Sequence, residues 1–273
     1  MKKWMKLFLV LPFLVFSIAV SASSSQIRLP NEPYQQAYQR IKNSLGKEDI
    51  HTLVKSDSPF NKKVPVDQMD FSDAVTVGTH EELIHMFNTI RDSRFLYEEE
   101  YPDFARRISW LFPDDGCYAR ATVAGMKLHS DSLPRPSKVF AFGDLEVATP
   151  FAPPYSTEHT VSWWYHVAPV VVYMGTAYVL DPALNSNGPM LVDEWFGIMG
   201  ANSGKKGAVC NSYSYNPFDS CSKATAISDL HAMEDQRSFL EYERKRVETL
   251  GFDSAVILGK TPPWYAQIPQ VGS

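Results

Sequence analysis

The sequence predicts an α+β fold: helices, then an antiparallel sheet, then helices, with the sheet packed against the helices. Three observations carry this. Thr79-His80-Glu81-Glu82 is a capping-box pattern, a Thr with a Glu three residues on, and opens a helix running to about Arg91. Residues 161–173 are rich in aromatic and β-branched types, and Met174-Gly175 offers a tight turn into a return strand at 176–180. Residues 225–250 form a strongly charged helical stretch stopped by Gly251.

The elements follow in order. Lys2, Lys3 and Lys6 precede an apolar run from Leu7 to Val20 and then small residues around Ala22. That is the layout of a secretory signal peptide cut after Ala22, residues 1–22. The run is about 14 residues, short of the ~20 a membrane span needs, and no later stretch is long and apolar enough. The protein is therefore expected to be secreted or periplasmic, with no stable membrane span once the signal is removed. Losing the three lysines takes the 26 basic residues to 23 and the net charge from −5 to −8. So acidic a chain lacks the basic footprint of a nucleic-acid binder.

Residues 23–75 read as an N-terminal segment, a pro-segment or linker. It starts with a short helix at 33–45, with Tyr34, Ala37, Tyr38 and Ile41 at helical spacing, and continues as an irregular polar stretch from 46. The domain proper is 76–260. Its first helix is expected to bury Leu83, Ile84, Phe87 and Ile90. Residues 104–110 read as a short helix or strand. A helix follows 113–116, with Asp114 or Asp115 as its N-cap and Cys117 in its first turn. Residues 139–142 and 144–148 are strand-like. The tail, 261–273, looks irregular.

Three residues in this plan carry chemistry. A thiol is a nucleophile only as the thiolate, and the amides and dipole of a helix first turn favour that anion at Cys117. Asp114 and Asp115 oppose it if they stay close and charged. His166 lies mid-strand in Trp163-Trp164-Tyr165-His166-Val167. If the hairpin turn is the two residues Met174-Gly175, His166 faces Ala183, and Asp181 lies on the same sheet face as a diagonal neighbour. A turn longer by one residue would put Asp181 on the other face. His166 would then take the Cys117 proton, and Asp181 would fix the imidazole tautomer. Strand alternation puts Trp164 on the His166 face and Trp163 and Tyr165 on the other.

These residues lie within three blocks: Asp115-Gly116-Cys117-Tyr118-Ala119-Arg120-Ala121, Trp163-x-Tyr165-His166-Val167-Ala168, and Leu180-Asp181-Pro182-Ala183-Leu184 with Gly188-Pro189. Together with Val139-Phe140-Ala141-Phe142-Gly143-Asp144-Leu145, they resemble the bacterial protein-glutaminases over roughly residues 76–215. The resemblance implies a papain/transglutaminase-like core with the nucleophilic Cys117 at a helix N-terminus, His166 as base and Asp181 as its orienter. It implies hydrolysis of the side-chain amide of protein-bound glutamine through a Cys thioester, on glutamine-containing proteins or peptides, with no cofactor and no metal. The sequence departs from the family at Thr122, where His is common, at the Pro-rich stretch 148–160, and at the charged helix near 225–250.

Gly116, Tyr118, Trp163 and Trp164 are candidates for substrate contact or oxyanion donation, beside the Cys117 backbone N–H. Cys210 and Cys221 close a small loop if they form a disulfide. The competing reading, a metal site, lacks any Cys/His set with zinc-ligand spacing. His129, His159 and His231 read as surface or capping residues. Other functions remain open at this stage: a transglutaminase-like acyl transferase, a cysteine protease, or an exported binding module in which Cys117 is structural.

Overall fold

The computed structural model describes residues 27–44, 54–200, 204–224 and 227–259. The signal segment 1–22 and the tail 261–273 lie outside the described residues. The elements are α1 (Tyr34–Ser44), α2 (Pro59–Lys62), β1 (Val64–Pro65), α3 (His80–Asp92), α4 (Cys117–Ser130), β2 (Ser137–Ala148), β3 (Thr160–Tyr173), β4 (Thr176–Val179), β5 (Met190–Leu191), α5 (Val192–Ile198), β6 (Lys206–Cys210), α6 (Ile227–Thr249) and α7 (Ser254–Ile257). The strands form one antiparallel sheet in the order β1-β6-β2-β3-β4-β5. Among the described residues no helix is long and apolar enough to cross a membrane.

The β3–β4 hairpin has the two-residue turn on which the His166–Asp181 pairing depended. Tyr173 pairs with Thr176 and Val170 with Val179. Met174 and Gly175 both have positive φ, 49° and 78°, the conformation a two-residue hairpin turn demands.

One sheet face packs on α4: Cys117 and Ala121 meet Phe140, Phe142, Val167 and Ala208. The other face packs on α5 through Val139, Ala141, Leu145, Ala168 and Val170 against Trp195 and Phe196. A third cluster lies between α3, α4 and α6. Helix α3 is capped by the Thr79 side chain, which accepts from Glu82 N. It buries Leu83, Phe87 and Ile90 as expected, but Met86 is buried and Ile84 only half-buried.

Four expectations need correction. β2 is one strand rather than two, and a bulge between Phe142 and Leu145 separates the halves, with Gly143 at φ 146°. Residues 104–110 are neither helix nor strand. Their backbone pairs at the Leu96–Arg106 bridge, and the Arg106 side chain forms buried ion pairs with Glu98 and Glu243. The stretch from 54 to 75 is not purely irregular: β1 pairs with β6 at the sheet edge, though two residues are too few for a periodic signal. The fourth correction concerns the cap of α4.

Helix α6 reads as charged in the sequence, yet it buries Glu243 and Arg246. Glu243 accepts from Leu111 N at 2.7 Å and from Arg106 at 2.5 Å. Arg246 pairs with Asp114 and donates to Phe151 O at 2.7 Å. Its charges therefore hold the segment that leads into α4.

Candidate active site

Neither Asp114 nor Asp115 caps α4. The cap is Gly116, in the left-handed region at φ 87°, where only glycine is free of strain. Asp114 is occupied by Arg246. Asp115 turns back on the chain: its Oδ1 accepts from Gly116 N at 2.6 Å, and its Oδ2 accepts from Arg28 N at 2.8 Å. Burial pushes the Asp115 carboxyl up to about 6, against the pull of those bonds and of nearby arginines.

Cys117 is the first residue of α4, so its N–H has no intrahelical acceptor. It is the free cysteine of the described residues, and it is buried. Cys210 and Cys221 form the disulfide, 11 residues apart.

The structure brings His166 and Asp181 together, with Cys117 near enough to act on the His166 pKa. His166 Nε2 lies 2.8 Å from Asp181 Oδ2, and both side chains are buried. His166 Nδ1 has no hydrogen-bond partner among the described residues. Burial alone would depress the imidazole, but Asp181 and then Cys117 outweigh it and raise the His166 pKa to about 9. On Asp181 burial acts upward, and His166, Trp195 and Arg120 outweigh it and hold the carboxyl low. The two partners shift in opposite directions, as an ion pair requires.

The Trp163 and Trp164 assignments are reversed. The Trp163 ring stacks on His166, with centroids 5.0 Å apart and an 18° interplanar angle. Trp164 packs on the helix side with Phe60, Phe142 and Tyr165. Strand alternation fails because Gly143 and Asp144 both oppose Trp164 at the β2 bulge. The Trp163 indole N–H donates to Pro113 O at 2.8 Å, and Gly116 N is engaged by Asp115. Both donors are thus engaged within the protein, whereas the Cys117 N–H has no intrahelical acceptor. Tyr118 packs edge-on against Tyr215 and Phe239 and forms a wall beside the thiol helix.

Sequence reasoning missed two contributors. Trp195 on α5 donates its indole N–H to Asp181 Oδ2 at 2.9 Å and its ring lies 5.5 Å from that of His166. No spacing in the sequence announces it, since α5 reaches the site only through packing. Tyr165 interacts with the Cys117 thiol; burial and then the Cys117 charge raise its hydroxyl pKa well above normal. Its signal was its place beside His166, discounted by strict alternation. His129, His159 and His231 are exposed, as expected.

A pocket of about 110 Å³ opens beside His166, lined by Trp163, Arg120, Phe151, Ala183 and Leu184 among others. Cys117 does not line it.

Several solved structures are similar to this chain. One is a crystal structure of protein-glutaminase, with 21% identity, a TM-score of 0.43, and coverage of 73% of this chain and 98% of that one. The second is the NMR structure of protein-glutaminase from Chryseobacterium proteolyticum, at 19% identity and TM-score 0.41, covering 69% and 93%. The third is a crystal structure of pro-protein-glutaminase, at 17% and 0.44, covering 87% and 83%. No curated protein matches the chain. Residues 83–199 match the model of a family described as Glutaminase. The matched segment contains Cys117, His166 and Asp181.

Proposed function

We propose that the protein is a secreted glutaminase that converts protein-bound glutamine to glutamate and ammonia. The observation that carries this reading is the His166 imidazole, bonded through Nε2 to Asp181 and left with Nδ1 for the Cys117 thiol. The family match over 83–199 supports the choice of an amide substrate.

Proton transfer from Cys117 to His166 Nδ1 gives a thiolate–imidazolium pair, which Asp181 stabilises. The thiolate attacks the γ-carboxamide carbon, and the Cys117 N–H faces the developing oxyanion. The imidazolium then gives its proton to the departing nitrogen, ammonia leaves, and a γ-glutamyl thioester remains. His166 takes a proton from water as that water attacks the thioester. Collapse of the second tetrahedral adduct expels the thiolate and yields glutamate.

Residues 76–260 act as the catalytic domain in this reading, and residues 1–22 as a cleaved export signal. The disulfide suits an oxidising compartment. The test is to incubate the full chain with a glutamine-containing protein and follow ammonia and mass. Ammonia release with a gain of about one dalton per site, abolished by Cys117→Ala, supports hydrolysis. An amine adduct formed in preference to glutamate would favour acyl transfer. Backbone cleavage without ammonia would favour a protease, and activity surviving Cys117→Ala would overturn the nucleophile.

A further inference from the structure

The loop that delivers Cys117 has its carbonyls held one after another by side chains from α4, from β3 and from the N-terminal segment. Phe112 O and Asp115 O accept from Arg120 Nη1 at 2.9 and 2.8 Å. Pro113 O accepts from the Trp163 indole at 2.8 Å. Asp114 O accepts from Arg28 Nη1 at 3.2 Å. With those carbonyls bound from outside, the peptide planes that lead into Gly116 and Cys117 have little freedom to rotate.

Arg28 belongs to the N-terminal segment, which the sequence reads as a pro-segment or linker. It is nevertheless 6% exposed. Its backbone N–H donates to Asp115 Oδ2, its Nε to Glu32 O at 2.7 Å, and its Nη2 to the Tyr155 hydroxyl at 2.8 Å. Nη1 also reaches Ser162 O, beside Trp163, at 3.5 Å. Next to it Ile27, 2% exposed, packs with Phe112, Ala119 and Phe239. Phe239 is the ring that fills the space above Gly116. One arginine thus ties the loop before the thiol, the strand of His166 and the 149–159 loop to one another. None of these contacts places Arg28 or Ile27 on the reacting atoms.

We propose that Arg28 is a positioning residue of the working enzyme, which clamps the Asp114–Asp115 turn so that Cys117 meets His166, and that residues 27–33 are a retained part of the site rather than a removable mask. The proposal rests on the glutaminase reading for its activity assay, but not for its geometry. A guanidinium is suited to the role because it presents a rigid fork of donors that an ammonium lacks. Its loss would let the turn drift, and small misplacements of a nucleophile are costly.

The experiment compares the full chain with Arg28→Ala, Arg28→Lys and Tyr155→Phe. Ammonia release from a glutamine peptide gives kcat and KM, and iodoacetamide alkylation of Cys117 gives the thiol's reactivity without any substrate. For Arg28→Ala we expect kcat to fall by roughly 10- to 100-fold with KM unchanged within about twofold. Cys117 alkylation should change in the same variant, and Arg28→Lys should recover part of both. Tyr155→Phe, at a half-exposed position, decides the matter if Arg28→Ala does not fold, with a kcat loss of about two- to fivefold expected from loss of the hydroxyl's bonds to Arg28 and to Glu32 O. Wild-type kcat and alkylation in folded Arg28→Ala, or in Tyr155→Phe where that variant decides, overturn the proposal. So does a gain of activity in either, which would mark the segment as a mask. A full chain that releases no ammonia but still shows the alkylation difference would reject the glutaminase reading and leave the clamp standing.

Discussion

Trp195 donates its indole N–H to the same Asp181 oxygen that holds His166 Nε2, at 2.9 Å against 2.8 Å. Asp181 Oδ1 accepts from Ala183 N at 3.2 Å. The carboxylate is therefore fixed from three directions, and the imidazole is fixed through it. Trp195→Phe keeps an aromatic ring against His166 and removes one donor. Glutamine turnover should fall by about three- to tenfold, in line with loss of one hydrogen bond to a charged group. Asp181→Asn should cost far more, leaving a residue of activity, because an amide does not hold the imidazolium. Steady-state ammonia release on both variants decides; a Trp195→Phe enzyme equal to the parent would mean that Asp181 needs no second donor.

His166 should give the protein a pH-dependent stability term with a defined sign. Its pKa rises on folding from 6.5 to about 9. The stabilisation is then fully present below 6.5 and is lost as pH rises through 9. The span of the shift corresponds to about 3 kcal/mol. Asp181 behaves oppositely: its pKa falls on folding, so its contribution is present above 3.8 and is lost as pH falls through the lower folded value. Thermal melts of the parent and of His166→Gln between pH 6 and 10 isolate the first term. The gap between them should narrow as pH passes 9, and a gap that stays constant would show that His166 is not held as an imidazolium. Ammonia release should decline over the same interval, as the ion pair loses its proton.

Much of this site was legible because its spacing rules are local. A two-residue turn at Met174-Gly175 fixes the register of β3 against β4, and that register alone puts Asp181 on the His166 side. Cys117 at a helix start follows from turn residues before it and good helix formers after it. What failed were contacts set by tertiary packing. Asp115 is a good cap by composition, yet it turns to Gly116 N and Arg28 N. Trp163 and Trp164 exchanged faces because one bulge in the neighbouring strand breaks the period of two. Trp195 and Arg28 reach the site from 14 and 86 residues away by packing alone, with no hairpin register to announce either contact.

Gly116 is the residue whose backbone the site depends on most directly. An alanine there would need a positive φ, which costs about 1–2 kcal/mol. Its Cβ would also stand 2.8 Å from Phe239 Cδ2 and Cε2, far closer than ordinary van der Waals contact, so the ring would have to shift. The expected outcome is a melting temperature several degrees lower, together with loss of most ammonia release, since the strain falls on the peptide before the nucleophile. Calorimetry and turnover on Gly116→Ala check this. An alanine variant as stable and active as the parent would show that the left-handed cap is not needed.

The Arg246–Asp114 pair anchors the same loop from helix α6. Both side chains are fully buried, and Arg246 also donates to Phe151 O. Breaking a buried pair leaves one charge without its partner, typically a loss of 3–5 kcal/mol, whereas replacing both with apolar or neutral groups costs much less. Arg246→Met should therefore be strongly destabilised and should lose activity with its fold. Adding Asp114→Asn to Arg246→Met should recover stability, even though it removes a second native residue. Denaturant unfolding of the parent, both single variants and the double variant gives the coupling directly. A double variant less stable than either single would mean that the two residues contribute independently rather than as a pair.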